Sequence, residues 1–175
     1  MVFDSDKPTI GISECITDSL VRYDGKSEFN PQLIASLSGS FNLQTVCPEV
    51  ECGFGVPRPP IELVDISGEL KVLGRDDKNL DVSKQLKEYA NQKALTLGHL
   101  SGYIFKARSP SCGLNSAPIY SLEKEKLRLS NGIFAAALVQ AFPLMPVIES
   151  EKLVEERECI IFIDRVNKYI SSKIR

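Results

Sequence analysis

The sequence predicts an α/β fold, with a single domain over residues 1–175 and a mostly parallel sheet flanked by helices. Short β-branched or apolar runs alternate along the chain with helical patterns, an order typical of parallel sheets. Three of these runs lead directly into a loop that carries a cysteine. The length of 175 residues and the hydrophobic content of 43% suit one domain with a substantial core.

Two strands, a helix and a hairpin are predicted in the first half of the chain. "TIGIS" (9–13) is a short β-branched run, and "NLQTV" (42–46) is the next strand. Between them, Asn30 is a suitable N-cap for a helix over 31–39 that starts with proline. "IELVDISGELKVL" (61–73), with a Ser-Gly pair at its centre, predicts a β-hairpin.

A long amphipathic helix opens the second half of the chain. Apolar side chains recur every three or four residues between Asp81 and Leu100, and Asp81 is a suitable cap. The later elements are a strand over 102–105, a polar-faced connector over 119–130, a buried helix over 131–142 capped by Ser130 or Asn131, a strand over 145–149 and an amphipathic terminal helix from Glu151. Strands and helices therefore alternate as the α/β fold requires.

Cys15, Cys47 and Cys112 each follow a predicted strand. Ligand sites of open α/β sheets lie outside the carboxyl ends of the strands, so we expect these thiols to converge there although they are distant in sequence. Three thiolates suit a soft metal site. It is either a [4Fe-4S] cluster whose fourth iron has no protein ligand or a zinc ion with an open position, and the spacing leaves both open.

The remaining cysteines are expected outside this site. Cys159 lies in the apolar run of the terminal helix, where a free cysteine usually packs as a small hydrophobe. Cys52 follows Cys47 in a glycine-rich loop, where it is either a spare or alternative ligand or, as we interpret it, a bystander near the site. The odd total of five cysteines argues against a disulfide framework.

Charge and hydropathy restrict the partners. The 21 basic and 23 acidic residues are interspersed and the net charge is −2, so we expect no binding to nucleic acid or to an anionic membrane surface. The longest apolar runs are too short to span a bilayer, and the N-terminal residues predict no signal peptide. These observations favour a cytoplasmic protein with a small-molecule partner.

Three strings resemble one known family. "GISECITDSLVRYDGK", "VCPEVECGFGVPRPPIELV" and "KARSPSCG" occur in this order and are similar to the thiouracil desulfidase family. The later "GIFAAALVQAFPLMPVIE" and the terminal helix are also similar, so the resemblance covers nearly the whole chain. "SPSCG" is an unusual string, which makes the resemblance specific.

The resemblance implies a cofactor and a reaction. It implies a [4Fe-4S] cluster held by Cys15, Cys47 and Cys112, with one open iron that binds the substrate sulfur. The reaction is the non-redox desulfuration of a thiolated pyrimidine to the oxo-base with release of sulfide. Glu49 matches the acid/base carboxylate of the family, and Ser109 matches its assisting hydroxyl.

Several alternatives stay open at this point. Glu49 is equally interpreted as a loop carboxylate that pairs with Arg58 or Arg22, and Ser109 as a turn hydroxyl. Tyr23 and Asp24 are predicted to line the substrate pocket, because a planar base needs a stacking surface and a polar partner. The alternative functions are a non-catalytic iron-sulfur or zinc-binding module and a cluster-dependent lyase. The sequence does not distinguish a base, a nucleoside or another thioamide as substrate, and it leaves the oligomeric state open.

Overall fold

Two four-stranded sheets form the framework of this computed structural model, which describes residues 4–173. The strands are β1 (Thr9–Ser13), β2 (Asn42–Val46), β3 (Ile61–Ile66), β4 (Glu69–Gly74), β5 (Tyr103–Phe105), β6 (Ala117–Tyr120), β7 (Lys126–Ser130) and β8 (Val147–Glu149). The helices are α1 (Pro31–Ser40), α2 (Pro48–Glu51), α3 (Ser83–Thr96), α4 (Ile133–Ala141) and α5 (Glu156–Lys173). Short 3-10 turns lie at Glu14–Ile16 and Lys152–Val154.

The first sheet has the strand order β2-β1-β5-β8, and all of its strand pairs are parallel. The carboxyl ends of the four strands therefore lie at one edge. From this edge the chain continues into the segments that begin at Glu14, Cys47, Lys106 and Ser150. The predicted α/β fold with a parallel sheet is confirmed.

Helices cover both faces of this sheet. Ile10 and Ile12 of β1 pack in one hydrophobic cluster with Phe162 of α5 and with apolar side chains of α1. Tyr103 and Phe105 of β5 belong to the other cluster, with α3 and α4. Alternate side chains of a strand face opposite layers, and each fully buried side chain of this size contributes roughly 1.5–3 kcal/mol to folding.

Gly11 allows the two layers to pack closely at the centre of the sheet. A Cβ atom at this position would lie 2.2 Å from Cδ2 of Tyr103 and 2.8 Å from Cδ1 of Leu100. The Tyr103 ring thus occupies the space of the missing side chain. Any larger residue at position 11 would displace this ring from the core.

The second sheet has the order β4-β3-β6-β7 and is mixed. β3 pairs antiparallel with β4 and parallel with β6, and β6 pairs antiparallel with β7. The hairpin predicted over 61–73 is present as β3 and β4. Its turn residues Ser67 and Gly68 have φ values of 53° and 88°, the left-handed conformations of a tight hairpin turn.

The prediction of a connector over 119–130 is wrong, because the structure has a second hairpin, β6–β7, in this region. Strand β7 is a sheet edge, and four of its five residues are exposed. Its charged residues therefore face water rather than mark a loop. An exposed edge strand lacks the apolar run by which the buried strands were predicted.

The predicted start of α1 is confirmed, since Oδ1 of Asn30 accepts a hydrogen bond from the Leu33 amide at 3.0 Å. Asp81 also caps its helix locally, because its Oδ1 accepts from the Ser83 amide at 2.8 Å. Helix α3 ends at Thr96, before the predicted Leu100.

The predicted cap of α4 is wrong. Gly132 occupies the N-cap position and no side chain caps the helix. Oδ1 of Asn131 instead accepts from the Asn115 amide at 2.7 Å, and the Phe134 amide donates to the Ser111 carbonyl at 2.9 Å. Within residues 4–173 no helix is long and apolar enough to cross a membrane.

Candidate active site

A cavity of about 340 Å³ opens at the carboxyl edge of the parallel sheet. Its walls come from the loops after β1, β2 and β5 and from strands β3 and β6 of the second sheet. Cys15, Cys47 and Cys112 all line this cavity. The structure therefore brings together the three cysteines that the sequence singled out, through the shared edge of the strands that precede them.

Local geometry fixes each cysteine. Cys15 lies in the 3-10 turn after β1, and Cys47 directly precedes α2, whose first residue is a proline. Cys112 lies in a tight loop after β5, where the Gly113 amide donates to the Ser109 carbonyl at 2.9 Å. Cys15 and Cys47 are thus positioned by element ends, and Cys112 by a hydrogen-bonded turn.

Burial makes the thiolate form of these cysteines unfavourable in the absence of a cation. Desolvation is the largest cause in each case: it raises the pKa of Cys15 to about 12, raises that of Cys47, and raises that of Cys112 well above its usual value. The negative charge of Cys47 raises the pKa of Cys15 further, whereas Lys106 and Arg22 lower it. Three clustered thiolates would thus need a strongly cationic partner between them.

Glu49 belongs to the first turn of α2 and lines the same cavity. Its Oε2 accepts a hydrogen bond from Nε of Arg58 at 2.8 Å, and its Oε1 accepts one from Oγ of Ser111 at 2.8 Å. The ion pair with Arg58 is one of the two pairings considered from the sequence. Arg22 pairs instead with Glu28 and Asp24. Glu49 is therefore both a paired carboxylate and a cavity residue.

Ser109 also lines the cavity and organises the loop of Cys112. Its Oγ accepts hydrogen bonds from the amides of Cys112 at 3.0 Å and of Ser111 at 3.2 Å. The turn interpretation is thus correct in its geometry. Since the oxygen acts only as an acceptor in these contacts, its proton is available for donation into the cavity.

Tyr23 and Asp24 differ in their placement. Tyr23 lines the cavity, and the guanidinium groups of Arg22 and Arg75 lie 5.6 Å and 5.5 Å from the centre of its ring, within cation-π range. Asp24 is not among the lining residues. Its Oδ1 accepts from the Lys26 amide at 3.2 Å and pairs with Arg22, so it stabilises the turn beside the cavity.

Comparison with known proteins identifies the family. The family model described as 2-thiouracil desulfurase matches residues 10–150. The chain belongs to this family. The family predicted from the three motifs is thereby confirmed, and with it the prediction of a desulfidase.

Two relatives of this desulfurase-family chain cover most of its length. The uncharacterized protein YbbK of Bacillus subtilis (strain 168) is 30% identical over 140 residues, which cover 74% of this chain and 89% of that protein. A solved structure described as a [4Fe-4S]-dependent thiouracil desulfidase, TudS, superposes with a TM-score of 0.66 at 28% identity. The match covers 84% of this chain and 93% of that one.

The donor set of this desulfurase-family chain suits an iron-sulfur cluster. Cys15, Cys47 and Cys112 line one cavity, and thiolates are the usual ligands of such clusters. Between residues 4 and 173, no group of three or more His, Cys, Asp or Glu side chains is arranged to hold one metal ion. The residue types at the cavity therefore fit a cluster by the chemistry of the donor set.

A buried hydroxyl in the hydrophobic cluster that contains Cys112 adds a second sign of fit. The Oη of Tyr103 is the one buried side-chain nitrogen or oxygen without a hydrogen-bond partner in the described part of the chain. Ser13 lies close to it without hydrogen-bond geometry, and burial raises the Tyr103 pKa, with the charges of Cys112 and Cys15 adding to the effect. The hydroxyl therefore keeps its proton, and the Tyr103 ring belongs to the hydrophobic cluster that contains Cys112.

Two buried charged residues near this edge were not singled out by the sequence analysis. Lys106 directly follows β5, is buried, and its Nζ lies 3.0 Å from Oε2 of Glu28 and 3.6 Å from Oε1 of Glu151. Glu149 ends β8, and its Oε1 accepts from the Leu114 amide at 2.8 Å and from the Ser116 hydroxyl. The available signal was position, since both residues lie at strand ends on the edge that carries the cysteines.

Cys52 and Cys159 lie outside the cavity lining. Cys52 follows α2 and packs partly buried against the core, and Cys159 of α5 packs partly buried in the cluster with α1. Packing of this kind is the usual role of a free cysteine.

Proposed function

We propose that this chain is a [4Fe-4S]-dependent desulfidase that converts a thiolated pyrimidine to the corresponding oxo-base and releases sulfide. The observation that carries the proposal is the convergence of Cys15, Cys47 and Cys112 in one cavity that also contains Glu49. Membership of the 2-thiouracil desulfurase family supplies the substrate class. The likeness to a [4Fe-4S]-dependent thiouracil desulfidase supports the choice of cofactor.

Cys15, Cys47 and Cys112 would hold the cluster through three of its irons. When bound, the cluster supplies a soft Lewis acid with one open coordination position, which can polarise a thiocarbonyl. Lys106 and Arg22 lower the pKa of Cys15 and so favour its thiolate form. The cationic side chains around the cavity thus stabilise the negative charge of a cluster held by three thiolates.

Glu49 is the general acid/base of the reaction in this proposal. Replacement of a C=S bond by a C=O bond consumes one water and yields the oxo-base and hydrogen sulfide, without net oxidation or reduction. The attacking water must lose its protons as the new bond forms, and a positioned carboxylate is a suitable base. Glu49 would take a proton from this water and return it to the product or the leaving sulfur.

Ser109 and Tyr23 would orient the substrate. The free proton of the Ser109 hydroxyl can be donated to the water or to a ring atom of the base. Tyr23 offers an aromatic surface at the cavity wall, against which a planar pyrimidine can stack.

Anaerobic purification and cluster reconstitution test the cofactor and the reaction together. We expect brown protein with iron and acid-labile sulfide, and release of sulfide and uracil from thiouracil. Single serine variants of Cys15, Cys47 and Cys112 should lose iron and activity. Serine variants of Cys52 and Cys159, which lie outside the cavity, are the matched controls and should keep both.

Two results would contradict the proposal. Intact cluster without sulfide release from any thiolated pyrimidine would favour a non-catalytic module or a lyase. Equal iron loss from the control cysteines and the cavity cysteines would contradict the ligand assignment.

A further inference from the structure

Ser111, the second serine of "SPSCG", contacts the carboxylate on which the proposed function depends. Its Oγ donates a hydrogen bond to Oε1 of Glu49 at 2.8 Å, across a sequence separation of 62 residues. Ser111 is only 1% exposed and is not among the residues that line the cavity. Its hydroxyl therefore reaches Glu49 from the protein interior rather than from the substrate side.

The other carboxylate oxygen has a different donor. Nε of Arg58 donates to Oε2 of Glu49 at 2.8 Å, and Nη1 of Arg58 donates to the carbonyls of Val21 at 2.9 Å and Gly55 at 3.0 Å. The side chains of Arg58 and Glu49 are 5% and 12% exposed. Glu49 is thus held at both oxygens, by donors from two segments that are themselves anchored.

The other hydrogen-bonding groups of Ser111 are also engaged within the protein. Its amide donates to Oγ of Ser109 at 3.2 Å, and its carbonyl accepts from the Phe134 amide at 2.9 Å. A serine hydroxyl carries one proton, which is used in the contact with Glu49. Ser111 is therefore unable to donate to a substrate while this contact exists.

The terminal torsion of a glutamate side chain is broad, so one contact alone does not fix the plane of the carboxylate. A carboxylate oxygen has two lone pairs. With one used by Ser111, Oε1 of Glu49 keeps the other for a proton from the cavity. If the serine contact were lost, the carboxylate could turn about the remaining contact with Arg58.

We propose that Ser111 is a positioning residue, whose hydroxyl orients the Glu49 carboxylate so that Oε1 can accept a proton on the cavity side. The inference rests on the proposed function of Glu49. It distinguishes the two serines of the motif, because Ser109 lines the cavity and Ser111 acts only through Glu49.

A double-mutant cycle tests this role in cluster-loaded protein. The set comprises wild type, Ser111→Ala, Glu49→Gln and the double variant, all compared at equal iron content. Loss of a hydrogen bond to a charged group predicts that Ser111→Ala lowers kcat roughly 10- to 100-fold, with little change in KM. In the Glu49→Gln background, Ser111→Ala should lower kcat no further. Ser101→Ala, at another buried serine outside the cavity lining, is the control and should leave kcat unchanged.

Equal losses of kcat in both backgrounds would overturn the inference, since Ser111 would then act through the loop of Cys112. Unchanged kcat in Ser111→Ala would also overturn it. Failure of the proposed function gives a different result, namely full activity of Glu49→Gln or no sulfide release from wild type.

A crystal structure of Ser111→Ala gives a readout that does not depend on activity. We expect the Glu49 carboxylate to turn away from its wild-type orientation while the backbone of Cys112 stays in place. An unchanged Glu49 carboxylate in this variant would overturn the positioning role whatever the catalytic result.

Discussion

Charged side chains around the cavity are paired between different loops and elements. Glu49 after β2 pairs with Arg58, and Lys106 after β5 pairs with Glu28 after β1. Removal of one partner of a buried pair leaves an uncompensated charge, which costs more than the pair itself contributes. These pairs therefore hold the loops of the site in one arrangement, and each offers a test at the scale of a residue.

Replacement of Glu49 by glutamine should reduce turnover without affecting cluster content. Glutamine keeps the shape and an acceptor oxygen for Ser111 but cannot take a proton from water. General acid/base groups contribute about 10²- to 10⁴-fold, so we expect a loss of this size in kcat for sulfide release. Glu51→Gln is the matched control, because Glu51 is on the same helix but pairs with Tyr89 and Lys93 away from the cavity. A normal rate for Glu49→Gln at normal iron content would exclude its catalytic role.

Replacement of Lys106 by methionine should weaken both the fold and the cluster site. The variant leaves Glu28 and Glu151 without their shared cation and removes a charge that favours the Cys15 thiolate. Both carboxylates are partly exposed, and each keeps an arginine partner, Arg22 for Glu28 and Arg108 for Glu151. We therefore expect a loss of only about 1 kcal/mol in the free energy of unfolding, measured by urea titration, together with lower iron per chain. Lys84→Met, at a side chain that is 88% exposed, should change neither. Wild-type iron content and stability in Lys106→Met would contradict this prediction.

Site residues could be predicted from the sequence where the side chain has a distinctive chemistry. They could not be predicted where the role depends on a tertiary contact with a residue distant in sequence. The three cysteines could be assigned to one place because each follows a strand. Ser111 carries no such signal, since its partner Glu49 lies 62 residues away and is brought to it only by the strand order. Lys106 is similar, because a lysine after a strand is usually solvated and this one is buried by three loops.

At the scale of elements, helix α4 supports the loop of Cys112. The amides of Ile133 and Phe134 donate to the carbonyls of Pro110 at 3.0 Å and Ser111 at 2.9 Å. The helix start is packed so closely against this loop that only Gly132 fits between them. A Cβ atom there would lie 2.5 Å from the carbonyl carbon of Ser111.

Gly132→Ala should therefore disturb the site although its backbone conformation suits alanine, with φ at −65°. The added methyl group would force the backbone of the Cys112 loop away, and overpacking of this kind costs about 1–3 kcal/mol. We expect reduced iron content and a lower unfolding midpoint. Gly39→Ala is the opposite case, because a Cβ at Gly39 of α1 meets nothing within 4 Å. It should raise stability by about 0.5–1 kcal/mol. The same iron content in both variants would argue against this contact.

Elements buried on both faces were predictable, and exposed ones were not. β1 and β5 have short buried apolar runs because helices cover both sides of their sheet. The strand β7 has alternating leucines and charges with its edge in water, and its short run resembles a loop in composition. Missing this strand also meant missing the second sheet as a wall of the cavity, since β6 contributes Tyr120 to the lining.

For the whole molecule, the cavity joins the ends of three strands to the second sheet. Three cysteines on separate segments mean that a bound cluster would link β1, β2 and the loop after β5. A ligand that binds only the folded state stabilises it by an amount set by its affinity and concentration, about 2.7 kcal/mol at a hundredfold excess over Kd. Loss of the cluster should therefore destabilise all three segments that carry the cysteines and not one loop alone.

Oxidative removal of the cluster should lower Tm by roughly 5–10 °C. A loss of about 2.7 kcal/mol in stability has this effect, because each kcal/mol shifts the Tm of a chain of this size by about 2–4 °C. Hydrogen exchange should speed up in the segments around Cys15, Cys47 and Cys112, whose buried thiols lose their cationic partner. Helix α5 packs on the opposite face of the parallel sheet from α3 and α4, and its exchange should change least. Cys112→Ser is the control, since its Tm should not respond to the same treatment. A uniform rise in exchange that includes α5 would indicate global unfolding, and an unchanged Tm in wild type would show that the three segments are held together without the cluster.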